Sequence, residues 1–164
     1  MSTVYLGVGT NLGDRTGAVD EAYARLASAG QRLLAASPLY ETEPWGLLDQ
    51  PRFLNAACAI ETLQPPHTLL ALLKGIERDM GRRTVVRNGP RVIDLDILLY
   101  DAIEINTERL SIPHRGMLDR VTVLVPLAAI APRVRHPLTG RTIADHLDAQ
   151  GPITGIALFP PGLG

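Results

Sequence analysis

The 164-residue sequence has the size and composition of one globular domain. Hydrophobic residues form 46% of it and charged residues 20%, which excludes a disordered, charge-rich chain. The 16 basic and 17 acidic side chains nearly cancel, whereas proteins dedicated to nucleic acids or anionic membranes usually carry a basic excess. We therefore expect a single domain over residues 1–158 that binds neither nucleic acid nor membrane, followed by a flexible tail at 159–164.

Targeting signals and cysteine usage predict the location of the protein. The first residues contain no basic segment leading into a long apolar stretch, and no window approaches the roughly 18 apolar residues of a membrane span. The single cysteine, Cys58, lies in an apolar run and is expected to be a small buried hydrophobe, because a reactive thiol needs positive charge nearby. We expect a soluble, cytoplasmic protein that works as a monomer.

The chain begins with a predicted strand and a predicted helix. Residues 4–8 form a short apolar run rich in strand-forming residues, and the turn and capping residues at 9–14 end it. From Thr16 onward, apolar residues recur at helical spacing, and Gly30 ends that pattern where a left-handed cap is expected. A strand, a loop and a helix therefore open the fold.

The middle of the chain repeats this alternation. Residues 33–39 and 53–61 are predicted strands, and residues 69–80 carry leucine, isoleucine and methionine on one helical face until Gly81 supplies a stop. Residues 92–100 then form a buried strand that contains two aspartates.

The predicted order is strand, helix, strand, strand, helix, strand, with short C-terminal additions such as residues 142–147. This order is typical of a ferredoxin-like α+β fold. We expect an antiparallel sheet with both long helices on one face, which leaves the other face available for a ligand.

Two carboxylates in the last predicted strand indicate a metal site. Side chains alternate between the faces of a strand, so Asp94 and Asp96 point to one side while Leu95 points to the core. Two like charges on one face need cations or basic side chains to offset them, and Mg²⁺ is usually held by one or two carboxylates together with phosphate oxygens. The alternative is that both aspartates are ordinary surface ion-pair partners.

An arginine-rich loop precedes this strand. Residues 81–91 contain four arginines and two glycines, a composition that suits a lid whose guanidinium groups bind phosphate oxygens in pairs. Arg91 lies three residues before Asp94 and is therefore expected near the same face. The alternative is a solvated basic loop paired with acidic residues elsewhere.

A second basic group follows at residues 109–120. Arg109, Arg115 and Arg120 could reach a nucleotide triphosphate from the opposite wall of a site. His114 could donate a hydrogen bond to phosphate, or it could be a structural residue satisfied by a backbone carbonyl.

Five segments together resemble the 6-hydroxymethyl-7,8-dihydropterin pyrophosphokinase family of folate biosynthesis. They are residues 9–14 (GTNLGD), 40–46 (YETEPWG), 53–56 (FLNA), 89–96 (GPRVIDLD) and 112–114 (IPH), and the resemblance extends from residue 4 to about residue 147. It implies an ATP-dependent enzyme that makes the diphosphate ester of a pterin alcohol, releases AMP and uses two magnesium ions.

The same resemblance implies roles for individual residues. Asp94 and Asp96 would hold both metal ions, Phe53 would stack on the pterin, and Asn55 would read its amide edge. The catalytic residues implied are Arg82, Arg91 and Asp96; the pterin-binding residues are Thr42, Pro44, Trp45, Gly46, Phe53 and Asn55; and the nucleotide-binding residues are Glu77, Arg87, Ile97, Arg109, Leu110, Ser111, His114, Arg115 and Arg120.

The sequence departs from the family pattern at several positions. Thr122 stands where many relatives place a second aromatic ring against the pterin, Asn88 and Arg115 replace aromatic residues, and Lys74 replaces a polar amide near the ribose. These changes bear on substrate affinity and lid packing, whereas the paired aspartates are retained.

Three other classes of protein fit the sequence less well. A non-catalytic ferredoxin-like binding module would leave the aspartates without a role, and a metal-dependent nuclease would need a broad basic face. The Gly7-Val8-Gly9 string suggests a Rossmann oxidoreductase, but Gly13 falls one position late for that fingerprint and the order of elements differs.

Overall fold

A computed structural model of the protein describes residues 1–44, 49–81 and 92–160. The first half of these residues forms β1 (Ser2–Thr10), α1 (Arg15–Ser28), β2 (Arg32–Ala36), β3 (Leu39–Thr42), β4 (Phe53–Thr62) and α2 (Pro66–Asp79). The second half forms β5 (Asp94–Tyr100), β6 (Ile105–Asn106), β7 (Ser111–Ile112), a short 3-10 turn (Met117–Asp119), α3 (Val121–Ile130), α4 (Ile143–Asp148) and β8 (Ile156–Phe159).

The main sheet is antiparallel throughout its described pairings. Its strand order is β5-β1-β4-β3-β8, and β2 also pairs with β4, beside the end of β4 that β3 leaves free. Strand β1 lies between β4 and β5 along most of its length. The predicted α+β class with an antiparallel sheet is confirmed.

One face of the sheet is packed by the two long helices. Alternate residues of β1 (Val4, Leu6 and Val8) lie in one buried cluster with Leu26 of α1 and Leu73 of α2. The helix ends follow the sequence signals: Asp14 accepts a hydrogen bond from the Gly17 N–H, and Gly30 and Gly81 adopt positive φ angles of 82° and 90°. A side chain would be strained in that conformation, which explains why both helices stop at glycine.

The other face is only partly covered. Helices α3 and α4 pack there through Leu124, Leu127 and Ile143 against Leu98 and Leu99 of β5. The sequence did not predict helix α3, because its first turn holds the β-branched run at residues 121–123 and Pro126 lies inside it. Beside the start of α3, the described residues of this face line a cavity.

Two boundaries differ from the sequence prediction. The sequence predicts a single strand at residues 33–39, but the structure has two strands there. Between them, the Ala57 N–H donates a hydrogen bond of 2.9 Å to the Ser37 hydroxyl instead of to a backbone carbonyl. Strand β8 was not predicted, and in it Phe159, the first residue of the predicted tail, pairs with Leu39 of β3. Residues 161–164 of the predicted tail lie outside the described residues.

Cys58 is fully buried in the packed face. Burial raises the pKa of its thiol to about 12, so the thiolate that reacts with electrophiles is negligible at neutral pH. The prediction that Cys58 serves as a small hydrophobe is confirmed.

Candidate active site

The site is built on a row of residues that crosses three strands. Gly9 of β1 pairs with Asn55 of β4 on one side and with Asp94 of β5 on the other. Two residues earlier in β1, Gly7 pairs with Asp96. Residues opposite each other in a sheet point to the same face, so the amide and both carboxylates share the face that α1 and α2 leave uncovered.

The glycines make the floor of a depression. A Cβ on Gly9 would lie 3.1 Å from Asn55 Oδ1, and one on Gly7 would lie 3.4 Å from Leu98 Cδ2. Any side chain at these positions would occupy the space between the amide and the carboxylates. Glycine at two alternate positions of a central strand therefore leaves room for a ligand on one face only.

A cavity of about 350 Å³ occupies this part of the face. It is bounded by the sheet on one side and by the first turn of α3 on another. Its polar and aromatic lining consists of Thr42, Glu43, Phe53, Asn55, Lys74, Asp94, Asp96, His114, Arg120 and Thr122.

The end of the cavity on β3 and β4 suits a flat heterocycle. The Asn55 side-chain amide donates a hydrogen bond of 2.6 Å to the hydroxyl of Thr42, which is buried. This bond fixes the amide orientation, and Phe53 places a ring beside it. Asn11 holds the segment that precedes β4, because its amide donates to Gln50 Oε1 at 3.0 Å and to the Pro51 carbonyl at 2.9 Å.

Several predicted pterin-binding residues surround this end. Thr42, Phe53 and Asn55 line the cavity as the resemblance implied, and Pro44 is half-buried just beyond β3. Trp45 and Gly46 lie outside the described residues. Thr122 lines the cavity from α3, at the position where the sequence lacks a second aromatic ring.

The end of the cavity on β5 carries the paired carboxylates. Asp94 and Asp96 are both half-buried and both line the cavity, while Leu95 between them is fully buried on the packed face. The predicted alternation is thus observed. Within residues 1–44, 49–81 and 92–160, no three His, Cys, Asp or Glu side chains gather as a metal cage. Two carboxylates that line one cavity fit Mg²⁺, which takes its remaining oxygens from phosphate and water.

His114 forms part of the wall at this end. Its Nδ1 accepts a hydrogen bond of 3.2 Å from the Gly116 N–H, so the neutral ring carries its proton on Nε2 and can donate from there. Burial lowers the pKa of His114, and the charges of Arg120 and Lys74 lower it further against the opposing effect of Asp94. The ring is therefore a neutral donor at physiological pH.

The other predicted nucleotide-binding residues do not share one environment. Ile97 and Leu110 are buried in the packed core. Ser111 and Arg115 line a second cavity of about 550 Å³ that shares His114 with the first, and the Arg115 guanidinium donates to Asn106 Oδ1 at 2.6 Å. Arg109 is exposed on the segment between β6 and β7.

Glu77 occupies a place that the sequence did not indicate. Only 2% of its surface is exposed, and its Oε2 accepts a hydrogen bond of 2.7 Å from the Leu95 N–H. Its Oε1 lies 3.2 Å from the Lys74 ammonium. The carboxylate thus joins α2 to the strand that carries both aspartates.

Three predicted phosphate-binding residues, Arg82, Arg87 and Arg91, lie outside the described residues. Conversely, the sequence interpretation gave no role to Gly7 and Gly9 in the site. Their spacing of two residues inside a strand was the available signal, since it places both gaps on one face.

The described residues contain no helix that is both long and apolar enough to cross a membrane. The fold and the cavity define a class of small α+β proteins with an antiparallel sheet. The open face of this sheet carries a recess of the size of a heterocycle, with two carboxylates beside it. Such an arrangement suits metal-assisted phosphoryl transfer to a small molecule.

Comparison with known proteins gives the family. The model of the 7,8-dihydro-6-hydroxymethylpterin-pyrophosphokinase (HPPK) family matches residues 5–132. A 2-amino-4-hydroxy-6-hydroxymethyldihydropteridine pyrophosphokinase of Methylorubrum extorquens is 44% identical over 93% of this chain and 96% of that protein. The enzyme of the same name from Pseudomonas aeruginosa is 42% identical over 96% of each chain.

Longer proteins also match. The folic acid synthesis protein fol1 of Schizosaccharomyces pombe is 44% identical over 94% of this chain, which spans only 21% of that protein. A crystal structure of Plasmodium falciparum HPPK-DHPS with pteroate has a TM-score of 0.73 at 18% identity, covering 91% of this chain and 42% of that one. At that identity the structure supports the fold alone.

The chain therefore belongs to the 7,8-dihydro-6-hydroxymethylpterin-pyrophosphokinase family. It is an enzyme of folate biosynthesis that transfers diphosphate from ATP to a hydroxymethyldihydropterin.

Proposed function

We propose that the open face of the sheet is where this transfer takes place, with the pterin over β4 and the ATP phosphates over β5. The observation that carries the proposal is the row Asn55, Gly9, Asp94, which sets an amide and a carboxylate on one face with an empty position between them. The acceptor hydroxyl would lie above Gly9 and Gly7, between the two ends of the cavity.

At the pterin end, recognition follows from shape and hydrogen bonding. The Phe53 ring offers an apolar face to a planar heterocycle, and the Asn55 amide can both donate to and accept from the edge of the pterin. Because the bond to Thr42 fixes the amide, its remaining hydrogen-bonding groups are preorganised. A pterin whose edge cannot match them would leave buried polar groups unpaired.

At the phosphate end, Asp94 and Asp96 would hold two Mg²⁺ ions. When bound, Mg²⁺ supplies charge neutralisation and fixes the orientation of the phosphate oxygens. The carboxylates contribute a fixed spacing of one strand repeat on a rigid element. His114, whose ring proton is on Nε2, lines the same space, and Arg120 adds a fixed positive charge to this wall.

The transfer itself requires positioning more than covalent chemistry. The hydroxyl oxygen of the pterin attacks the β-phosphorus, the bond to the α,β-bridging oxygen breaks, and AMP leaves. Asp96, which lines the cavity, would accept the hydroxyl proton. Arg82 and Arg91 would neutralise the transferring phosphates, with Arg87 assisting, as the family resemblance implies.

We further propose a ferredoxin-like arrangement, with α1 and α2 on one face of the sheet. The shared buried cluster of both helices with β1 supports it. A cytoplasmic monomer suits a small, nearly neutral chain that acts on two small molecules. Gel filtration at micromolar concentration tests the oligomeric state.

Product analysis tests the proposed reaction. Purified protein incubated with ATP, Mg²⁺ and 6-hydroxymethyl-7,8-dihydropterin should release AMP in equal amount to the pterin diphosphate. Omission of the pterin should abolish AMP release, since a shielded site suppresses hydrolysis. Formation of ADP, or no nucleotide product with the pterin present, would contradict the proposal.

A further inference from the structure

A buried carboxylate that faces the protein rather than the cavity lies directly behind the paired aspartates. Glu77 of α2 is 2% exposed and accepts a hydrogen bond of 2.7 Å from the Leu95 N–H. Leu95 separates Asp94 from Asp96, so this bond reaches the backbone at the centre of the carboxylate pair.

The position of β5 in the sheet explains why such a bond matters. Among the described strands, β5 is terminal and pairs only with β1. The N–H groups on the outer edge of a terminal strand have no strand partner and leave the backbone free to twist. Glu77 provides a partner from α2 for the edge group nearest both aspartates.

Lys74 accompanies this carboxylate. It is the only lysine among the 16 basic residues of the chain, and its ammonium lies 3.2 Å from Glu77 Oε1. A buried carboxylate needs such compensation to remain ionised. Because Lys74 also lines the cavity, the pair connects the helix, the strand and the site.

We propose that Glu77 is a positioning residue, which fixes the backbone of β5 through Leu95 so that Asp94 and Asp96 hold their metal ions at the right spacing. The inference rests on the proposed function, since it assumes that these aspartates are the metal ligands. In this proposal Glu77 acts on the metal ions through the backbone of β5, whereas the family resemblance implies that Glu77 contacts the nucleotide. Partners behind metal ligands typically change metal affinity 10–100-fold when removed.

Two substitutions distinguish the effect of the hydrogen bond to Leu95 from the effect of the negative charge on Glu77. Glu77→Gln removes the charge but keeps an oxygen at the same distance from the Leu95 N–H. Glu77→Asp keeps the charge but shortens the side chain by one methylene, so the bond to Leu95 is lost. Asp79→Asn, on an exposed residue at the end of the same helix, is the matched control for loss of one negative charge.

The measurement is Mn²⁺ affinity in the presence of saturating α,β-methylene-ATP, read from the electron paramagnetic resonance signal of free Mn²⁺. We expect Glu77→Asp to weaken binding about ten-fold, with Glu77→Gln within about three-fold of the parent protein and Asp79→Asn unchanged. Hydrogen exchange of the Leu95 amide should accelerate at least about ten-fold in Glu77→Asp only. Circular dichroism checks that each variant is folded at the assay temperature.

Three results would overturn the inference. Equal weakening by Glu77→Gln and Glu77→Asp would assign the effect to something other than the hydrogen bond to Leu95, and a larger effect of Glu77→Gln would assign it to charge. Parent-like Mn²⁺ affinity in a folded Glu77→Asp protein would show that the bond to Leu95 does not position the ligands. Failure of the parent protein to form AMP would contradict the proposed function but not these binding results.

Discussion

The two faces of the central sheet have different requirements, although the same strands form both. In β1, Val4, Leu6 and Val8 fill the packed face, whereas Gly7 and Gly9 leave the other face empty. In β5 the buried Leu95 separates two carboxylates that point the opposite way. Alternate residues of one strand thus belong to the hydrophobic core and to the candidate active site. Substitutions on the packed face should therefore lower stability, and substitutions on the open face should lower activity.

The largest expected effect is on the open face. Asp96→Ala should lower kcat by roughly three orders of magnitude, because a metal ligand and a candidate proton acceptor are both lost. Its melting temperature should be equal or higher, since one of two like charges is removed. Asp20→Ala, on the exposed side of α1, controls for loss of a carboxylate. Turnover near that of the parent protein would refute the metal assignment.

On the packed face, Leu6→Ala should act on stability instead. Leu6 is fully buried, and removing such a side chain costs about 2–5 kcal/mol of unfolding free energy. Urea denaturation measures this loss, with the partly exposed Leu34→Ala as the control, for which a change below about 0.5 kcal/mol is expected. A folded Leu6→Ala protein with kcat reduced as far as in Asp96→Ala would break the distinction between the faces.

Within the open face, Asn55→Ala should separate the two ends of the cavity. Loss of the amide leaves the pterin edge and Thr42 without a partner, which costs about 1–3 kcal/mol. Pterin affinity measured by calorimetry should fall roughly 5- to 150-fold on that basis. Affinity for an ATP analogue should hardly change, and equal losses for both ligands would contradict the role of Asn55.

Gly9→Ala should weaken pterin binding without lowering the stability of the fold. A methyl group there lies 3.1 Å from Asn55 Oδ1 and would move the amide by a few tenths of an ångström. We expect pterin affinity to fall about five-fold, which corresponds to about 1 kcal/mol. The unfolding free energy should stay equal or rise by up to about 1 kcal/mol, because alanine restricts the unfolded chain. Unchanged pterin affinity would show that the floor of the cavity need not be empty.

The smallest expected effect is the pH dependence that His114 contributes on this face. Burial is the main cause that lowers the pKa of His114 in the folded protein below 6.5, which is its value in the unfolded chain. At a pH between these two pKa values, the unfolded state binds a proton that the folded state does not bind. Stability should therefore decline as pH falls below 6.5. Thermal denaturation from pH 7 to pH 5 should show a flatter profile for His114→Asn, and parallel profiles would contradict this assignment.

The sequence predicted the parts of this arrangement that depend on local periodicity. Strand alternation placed Asp94 and Asp96 on one face, and helical spacing with terminal glycines gave α1 and α2. Helix α3 was missed because Val121, Thr122 and Val123 favour strands locally, and packing of Leu124 and Leu127 on the sheet outweighs that preference.

Features that depend on pairing between distant segments could not be predicted. The role of Gly9 follows from its register with Asn55 and Asp94, and neither partner can be identified from its neighbours in sequence. Glu77 lies on α2 between Ile76 and Arg78, and only the packing of α2 on β5 shows that its carboxylate meets the Leu95 N–H. The resemblance to a family implies a ligand contact there, and the structure shows a buried bond to the backbone that no sequence signal indicated.

The most direct test of the account is a crystal structure with Mg²⁺, α,β-methylene-ATP and 6-hydroxymethyl-7,8-dihydropterin bound together. We predict metal ions on Asp94 and Asp96, the pterin against Phe53 and Asn55, and its hydroxyl facing the β-phosphate above Gly7 and Gly9. A triphosphate bound on the helix-covered side of the sheet, or metal ions held by other residues, would contradict the division of the sheet into a packed face and a catalytic face.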